Sequence, residues 1–166
     1  MDSAVHAIVG ALSGKISKEF IVFLVSMIPL LELRGSILAA GFIDMQFVPT
    51  VIAAVLGNML PIPFILLFIK KIFAWMKKVN GLKKFPEWCE KKAMSKSAQI
   101  EKYGYFGLYL FVASPLPGTG AWTGSLAATL LNLKTGKSLI AIFLGVCTAG
   151  LVMSLLAFGI IANLIG

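Results

Sequence analysis

The chain has 166 residues, 58% of them hydrophobic, and a mean hydropathy of +0.92. Soluble domains hold ~45–50% apolar residues and keep much of their surface in water, so lipid must be the solvent for part of this chain, and the length suits one membrane domain over 1–166. The net charge of +8 does not argue for nucleic acid, because ten of the fifteen basic residues are gathered between Lys70 and Lys102 with no reader motif around them.

Val5, Ile8, Val9, Leu12 and Ile16 recur at helical spacing, which predicts an amphipathic surface helix over 4–18, closed by Lys15, Lys18 and Glu19. The same residues also fit the first turns of a longer spanning helix. Asp2 and the lack of an early positive charge argue against a secretory leader. Phe20–Leu31 is apolar for twelve residues, which as a helix covers ~18 Å of a ~30 Å hydrocarbon core. Pro29, Glu32, Arg34 and Gly35 interrupt it, and a second short arm, Gly35–Ile43, ends at Asp44. Phe47–Ile69 is long enough to cross, with a kink expected near Asn58, Pro61 and Pro63. These segments make a first repeat over 20–77.

Residues 78–103 form a basic loop. Pro86 and Glu87 suit the opening of a helix over roughly 86–103, Glu87 and Lys91 stand four apart as a potential pair, and Trp88 is a candidate interface anchor. A short lysine-rich loop between apolar segments is expected on the cytoplasmic side of the cell membrane, here residues 70–102. A second repeat over 104–165 follows: the short arm Tyr105–Ser114, the break Pro115–Gly120, the short arm Ala121–Leu133, and Ser138–Ile165, which has the length to span.

The order of the segments repeats. An offset of 86 residues brings Pro29 onto Pro115, and one of 88 brings Gly57 onto Gly145. The expected fold is therefore an all-α integral membrane protein of two inverted repeats, each a re-entrant helical hairpin followed by a transmembrane helix. In the competing topology, residues 20–43 and 105–130 are full spans of a four-helix bundle. That arrangement would carry Glu32 and Arg34 near mid-helix at about 2.5–3.5 kcal/mol each. It would also put Pro-Leu-Pro-Gly-Thr-Gly near mid-membrane, where irregular backbone needs a protein-lined or wet cavity. Paired hairpins whose tips meet inside avoid both.

Arg34 is the only arginine in the chain. Its rigid, permanently charged fork suits phosphate or carboxylate, and Glu32 supplies a counter-charge. Glu32 and Arg34 would not face each other in a regular helix, so a bent tip uses them better. At the second break Pro115, Pro117, Gly118, Thr119 and Gly120 specify a turn, after which a helix restarts with free N–H groups that attract anions, and Trp122 and Thr123 can line the same cavity. Packing turns and interfacial charges are the plainer readings of both breaks. Substrate-binding candidates are thus Glu32, Arg34, Gly118, Thr119, Gly120, Trp122 and Thr123. Pro29, Gly35, Asn58, Pro61, Pro115 and Pro117 shape tips and kinks. One histidine and two well-separated cysteines, Cys89 and Cys147, supply no catalytic triad, disulfide or metal framework. Neither an enzyme nor a cofactor is expected.

The stretches P-L-L-E-L-R-G-S-I-L-A-A-G at 29–41, G-N-M-L-P-I-P at 57–63 and S-P-L-P-G-T-G-A-W-T-G-S-L-A-A at 114–128 resemble the small multidrug export family. That family is a relative of the DedA/VTT group of membrane proteins, and the likeness runs from about residue 18 to 160. It implies paired re-entrant hairpins and a transport role. The DedA group is linked to translocation of lipid phosphates, undecaprenyl phosphate among them, and to proton-dependent envelope homeostasis. Carried over by motif, Glu32 and Arg34 form the charged tip of the first hairpin, and Pro115, Pro117, Gly118 and Gly120 shape the second.

The expectation is a small transporter for an anionic amphiphile such as a lipid phosphate, proton-coupled through Glu32. The alternatives are an exporter of cationic lipophilic compounds and a non-transporting scaffold. Its partners are membrane lipids and the amphiphilic substrate, not nucleic acid. A homo-oligomer is expected because two full crossings make a thin wall, and Gly145, Gly150 and Gly159 permit close helix approach.

Overall fold

The computed structural model describes residues 17–165 apart from Leu30, Asn80, Lys96 and Pro117, so the surface helix expected over 4–18 lies outside the described residues except for its last two. The described residues form helices without strands: α1 (Lys18–Met27), α2 (Glu32–Phe42), α3 (Phe47–Met59), α4 (Ile62–Met76), α5 (Lys84–Met94), α6 (Ala98–Ala113), α7 (Ala121–Leu130) and α8 (Thr135–Ile165). They belong to two compact units, one of residues 1–60 and 146–166, the other of residues 61–145.

In the first unit, Ser17 Oγ caps α1 by accepting from Phe20 N at 3.3 Å, and Glu19 adds a favourable negative charge to the first turn. The helix stops at Ile28, whose extended backbone leads into Pro29. The chain then turns back on itself. Lys18 Nζ donates to the Asp44 carbonyl at 3.4 Å, whereas one continuous helix would hold these residues about 39 Å apart. Ile21, Val25, Leu31 and Ala39 seal the seam between the arms. Residues 20–43 are therefore a helical hairpin, not the single span of the competing topology. α3 packs on both arms. Its Gly57 lies so close to α1 that a Cβ there would run into Phe23 O and Ser26 Oγ. On α8, a Cβ at Gly150 would stand 3.3 Å from Leu33 Cδ1 and from Val55 Cγ2. Further along, Phe158 meets Phe47 edge-on at 5.6 Å.

The second unit contains a second hairpin. Gly104, at φ +60° and ψ −131°, breaks α6 so that its apolar arm begins at Tyr105, a conformation that glycine adopts without steric cost. The break folds Gly107 onto the Gln99 carbonyl. Lys134 N donates to Tyr105 Oη at 3.1 Å, which ties the end of the second arm to the start of the first. Residues 105–130 are thus also not one span. α7 also packs on α4 and α5.

Two helix boundaries and one ion pair in and beside the basic segment differ from the sequence reading. The helix expected over 86–103 is interrupted at Ser95 and Ser97, giving α5 and the first turns of α6. The Ser95 and Ser97 hydroxyls turn to the carbonyls of Lys92 and Met94 there, offering the backbone an alternative to a continuous ladder. Glu87 pairs with Lys83 at 3.8 Å instead of Lys91; exposed helix pairs are worth only about 0.3–0.5 kcal/mol, so spacing alone discriminates weakly between them. The first long helix continues past Ile69 to Met76, with Lys70 and Lys71 exposed on it, because lysine stems can lie along an apolar helix while their heads reach water.

Phe47–Met76 and Thr135–Gly159 have the length and apolar character to cross a membrane. The first breaks at Leu60–Pro61, where Pro61 and Pro63 lack the N–H groups that would continue the ladder. Val48, Ile52 and Leu56 form an exposed apolar stripe while Thr50, Ala54 and Asn58 are buried. That pattern places apolar side chains outward, as lipid requires. Three buried hydroxyls bond to carbonyls three or four residues back: Thr50 to Gln46 O at 2.7 Å, Ser36 to Leu33 O at 2.9 Å and Ser125 to Ala121 O at 2.6 Å.

Local geometry matches between the halves. Ile28 and Ser114, 86 apart, both end an arm in extended backbone, with ψ 126° and 130°. Asp44 and Asn132, 88 apart, both adopt left-handed backbone, with φ 48° and 57°. The long helices begin at Phe47 and Thr135, again 88 apart. Gly57 abuts Phe23 and Ser26 of α1, and Gly145 abuts Tyr109 and Val112 of α6, with both contact pairs offset by 86. The offset changes from 86 to 88 across the tips, so the second tip is two residues longer.

Candidate functional site at the first hairpin tip

Glu32 opens α2 with φ +48° and is only 8% exposed. A left-handed, non-glycine residue costs about 1–2 kcal/mol. Counted at the offset of 86, Glu32 corresponds to Gly118; counted at 88, it corresponds to Gly120. These glycines have φ +79° and +150°. The second hairpin thus puts the permissive residue where the turn demands it, and the first puts a buried carboxylate there.

The bend changes the relation between the two charges. Arg34 is half-buried, and the Glu32 carboxylate acts on its guanidinium electrostatically. Their chain neighbours Leu31, Leu33 and Ile37 are buried. Leu33 reaches the neighbourhood of Val55 and Gly150. One turn beyond Val55 on the same face of α3 is Asn58, 3% exposed, whose Oδ1 has no hydrogen-bond partner among the described residues. Leaving a buried acceptor unmatched costs about 1–3 kcal/mol. Pro29 is exposed in the turn, and Gly35 is buried where a Cβ would come 2.8 Å from Leu31 Cβ. The first unit therefore holds the buried Glu32 and the half-buried Arg34 at the hairpin tip, and the buried amide of Asn58 near the end of α3.

The second tip is uncharged. Thr119 Oγ1 lies 3.0 Å from Ser114 O and 2.7 Å from Leu116 O, so its hydroxyl closes the turn. Gly120 caps α7 without a side-chain hydrogen bond. Trp122 and Thr123 are half-buried in that first turn, Pro115 is exposed, and Pro117 lies outside the described residues. Pro61 stands at the break before α4.

A family model described as "Putative small multi-drug export protein" matches residues 32–152. The chain belongs to this family. The match starts at Glu32 and takes in Arg34, Asn58 and the whole second tip. With the two long apolar helices, membership makes this an all-helical membrane protein of an export family. Neither the curated proteins nor the solved structures give a match.

Within this export-family chain, sequence reasoning singled out the two charges and Asn58 but missed two other features of the first unit. One is the left-handed backbone at Glu32, for which the offset onto a glycine was the available signal. The other is Ser154, one turn beyond Gly150 on α8, which is fully buried with no partner for its Oγ among the described residues. A serine four positions from a packing glycine was the cue there.

Proposed function

We propose that this protein is a small membrane transporter that carries an amphiphile with an anionic head, such as a lipid phosphate, and that Arg34 receives the head. The observation that carries the reading is Glu32: a charged residue buried in strained backbone at a tip whose counterpart is glycine. Strain of this kind persists where the surrounding structure enforces it, and it gathers at functional sites. Arg34 is the more accessible of the two charges. An incoming anion competes with Glu32 for the guanidinium, and the released carboxylate is then available to take up a proton. Asn58 adds an amide to the same end of the unit.

The two hairpins re-enter the bilayer without crossing it. Supporting this are arms of ten and eleven residues in the first hairpin, or about 15–17 Å of helix against a ~30 Å core. The matched glycine contacts and caps support a duplicated architecture; an odd number of crossings between the copies inverts the second, and its lysine content puts segment 70–102 on the cytoplasmic side.

The family description favours a second reading, export of cationic lipophilic compounds, with the buried Glu32 carboxylate as the binding group. Substrate charge separates the two. In proteoliposomes, Glu32→Gln retains measurable translocation of a fluorescent lipid phosphate if Arg34 is the receptor. Complete loss of a lipophilic-cation flux, with no lipid movement in the parent protein, would turn the assignment to drug export.

A further inference from the structure

α5 starts eight residues after the candidate span Phe47–Met76 ends, so the chain holds it near the membrane surface. It already has a packing partner: Pro86 and Ala93 are buried on the side that meets α7. Large apolar side chains nevertheless stay exposed on α5 and the turn before it: Leu82, Phe85, Trp88 and Met94, with Trp88 at 53%. Lysines surround them. Lys92 Nζ sits 4.8 Å from the centre of the Trp88 ring. The nearby acids are already matched, Glu90 with Lys77 at 2.7 Å and Glu87 with Lys83 at 3.8 Å. Lys84, Lys91 and Lys92 have no acidic partner among the described residues.

We infer that the outer face of α5 binds the anionic headgroups of the leaflet from which α4 emerges. Phe85 and Trp88 enter the interfacial layer, where amphipathic aromatic rings are favoured, and Lys84, Lys91 and Lys92 meet lipid phosphates. Charge complementarity selects the occupant: a neutral leaflet would satisfy the aromatics but leave three unmatched ammonium groups without counter-charge. The surface is separate from the hairpin tip and needs no transport activity.

The test uses the full chain in nanodiscs of phosphatidylcholine with a minor share of phosphatidylglycerol. Trp75→Phe and Trp122→Phe make Trp88 the only tryptophan. Either lipid is then supplied in brominated form at the same mole fraction, and Trp88 quenching is read. Each lysine near an anionic surface raises local anionic-lipid occupancy about fivefold at low salt, so brominated phosphatidylglycerol quenches several-fold more than brominated phosphatidylcholine. The difference disappears at about 0.5 M salt, where exposed charges are screened, and in Lys84→Gln/Lys91→Gln/Lys92→Gln. Because Lys84 and Lys91 are exposed and Lys92 is half-buried with the Trp88 ring at its ammonium, an unchanged circular dichroism spectrum accompanies that loss. Equal quenching by both lipids in the parent protein, or no quenching by either, overturns the inference. So does tight binding of a labelled oligonucleotide in the presence of the anionic lipid.

Discussion

Replacing Glu32 separates strain from function. Glu32→Gly and Glu32→Ala both delete the carboxylate next to Arg34; they differ only in how the new residue tolerates φ +48°. Alanine retains a left-handed cost of about 1–2 kcal/mol. Glycine escapes it but loses about 0.5–1 kcal/mol in unfolded-state entropy. The glycine variant should therefore be the more stable by about 0.5–1 kcal/mol, an apparent Tm difference on the order of 2 °C for a chain of this size. Thermal unfolding in one detergent, followed by tryptophan fluorescence, measures that difference. Translocation in proteoliposomes should fall at least tenfold in both variants, because neither keeps the charge that exchanges with substrate at Arg34. An alanine variant equal to or more stable than the glycine variant would refute the strained backbone. Full transport in both would show that Glu32 serves packing alone.

Arg34→Lys keeps the charge but loses the planar fork; translocation should drop about tenfold, a loss of ~1.4 kcal/mol in binding the head, while Arg34→Ala removes it. Gly57→Ala pushes a methyl into the Phe23 carbonyl as well as Ser26, so it should destabilise by about 1–3 kcal/mol and recover little with Ser26→Ala. Likewise, a Cβ at Gly145 stands 2.7 Å from Val112 Cβ and 3.0 Å from Tyr109 O, atoms that Val112→Ala retains, so that second change should recover little of the melting temperature lost in Gly145→Ala. Burial pushes the Cys89 thiol up, with Lys92 opposing and Glu90 reinforcing. In a Cys147→Ala background, an impermeant maleimide should label Cys89 only from the cytoplasmic face. Labelling at neutral pH should be slower than for a free thiol and should accelerate as the pH rises, since the thiolate is the nucleophile.

Much of this fold was legible because its breaks are written in strong local chemistry. Pro115 to Gly120 can hardly continue a helix, and arms of about ten residues are too short to cross. The kink at Pro61 and the start of an apolar arm at Tyr105 were equally readable. Other features depend on contacts distant in sequence. Lys83, Lys91 and Lys77 all offer charge near Glu87 and Glu90, and spacing does not say which one will pair. Nothing in the residue types around Ser95 and Ser97 announces a break, yet there both hydroxyls bond to nearby carbonyls. The division of each long helix between two units, at Leu60 and at Gly145, follows from packing partners dozens of residues away. At the candidate site, the residue types at Glu32, Arg34 and Asn58 announced themselves. The left-handed backbone of Glu32 did not, although its offset partner is a glycine.

The most direct test of the central claim is translocation of a fluorescent lipid phosphate across proteoliposomes, parent protein against Arg34→Ala, with a lipophilic cation as comparison substrate. The account predicts lipid movement that requires Arg34 in a variant that still folds and inserts, and little movement of the cation. Lipid movement unchanged in Arg34→Ala, or movement of the cation alone, would contradict it.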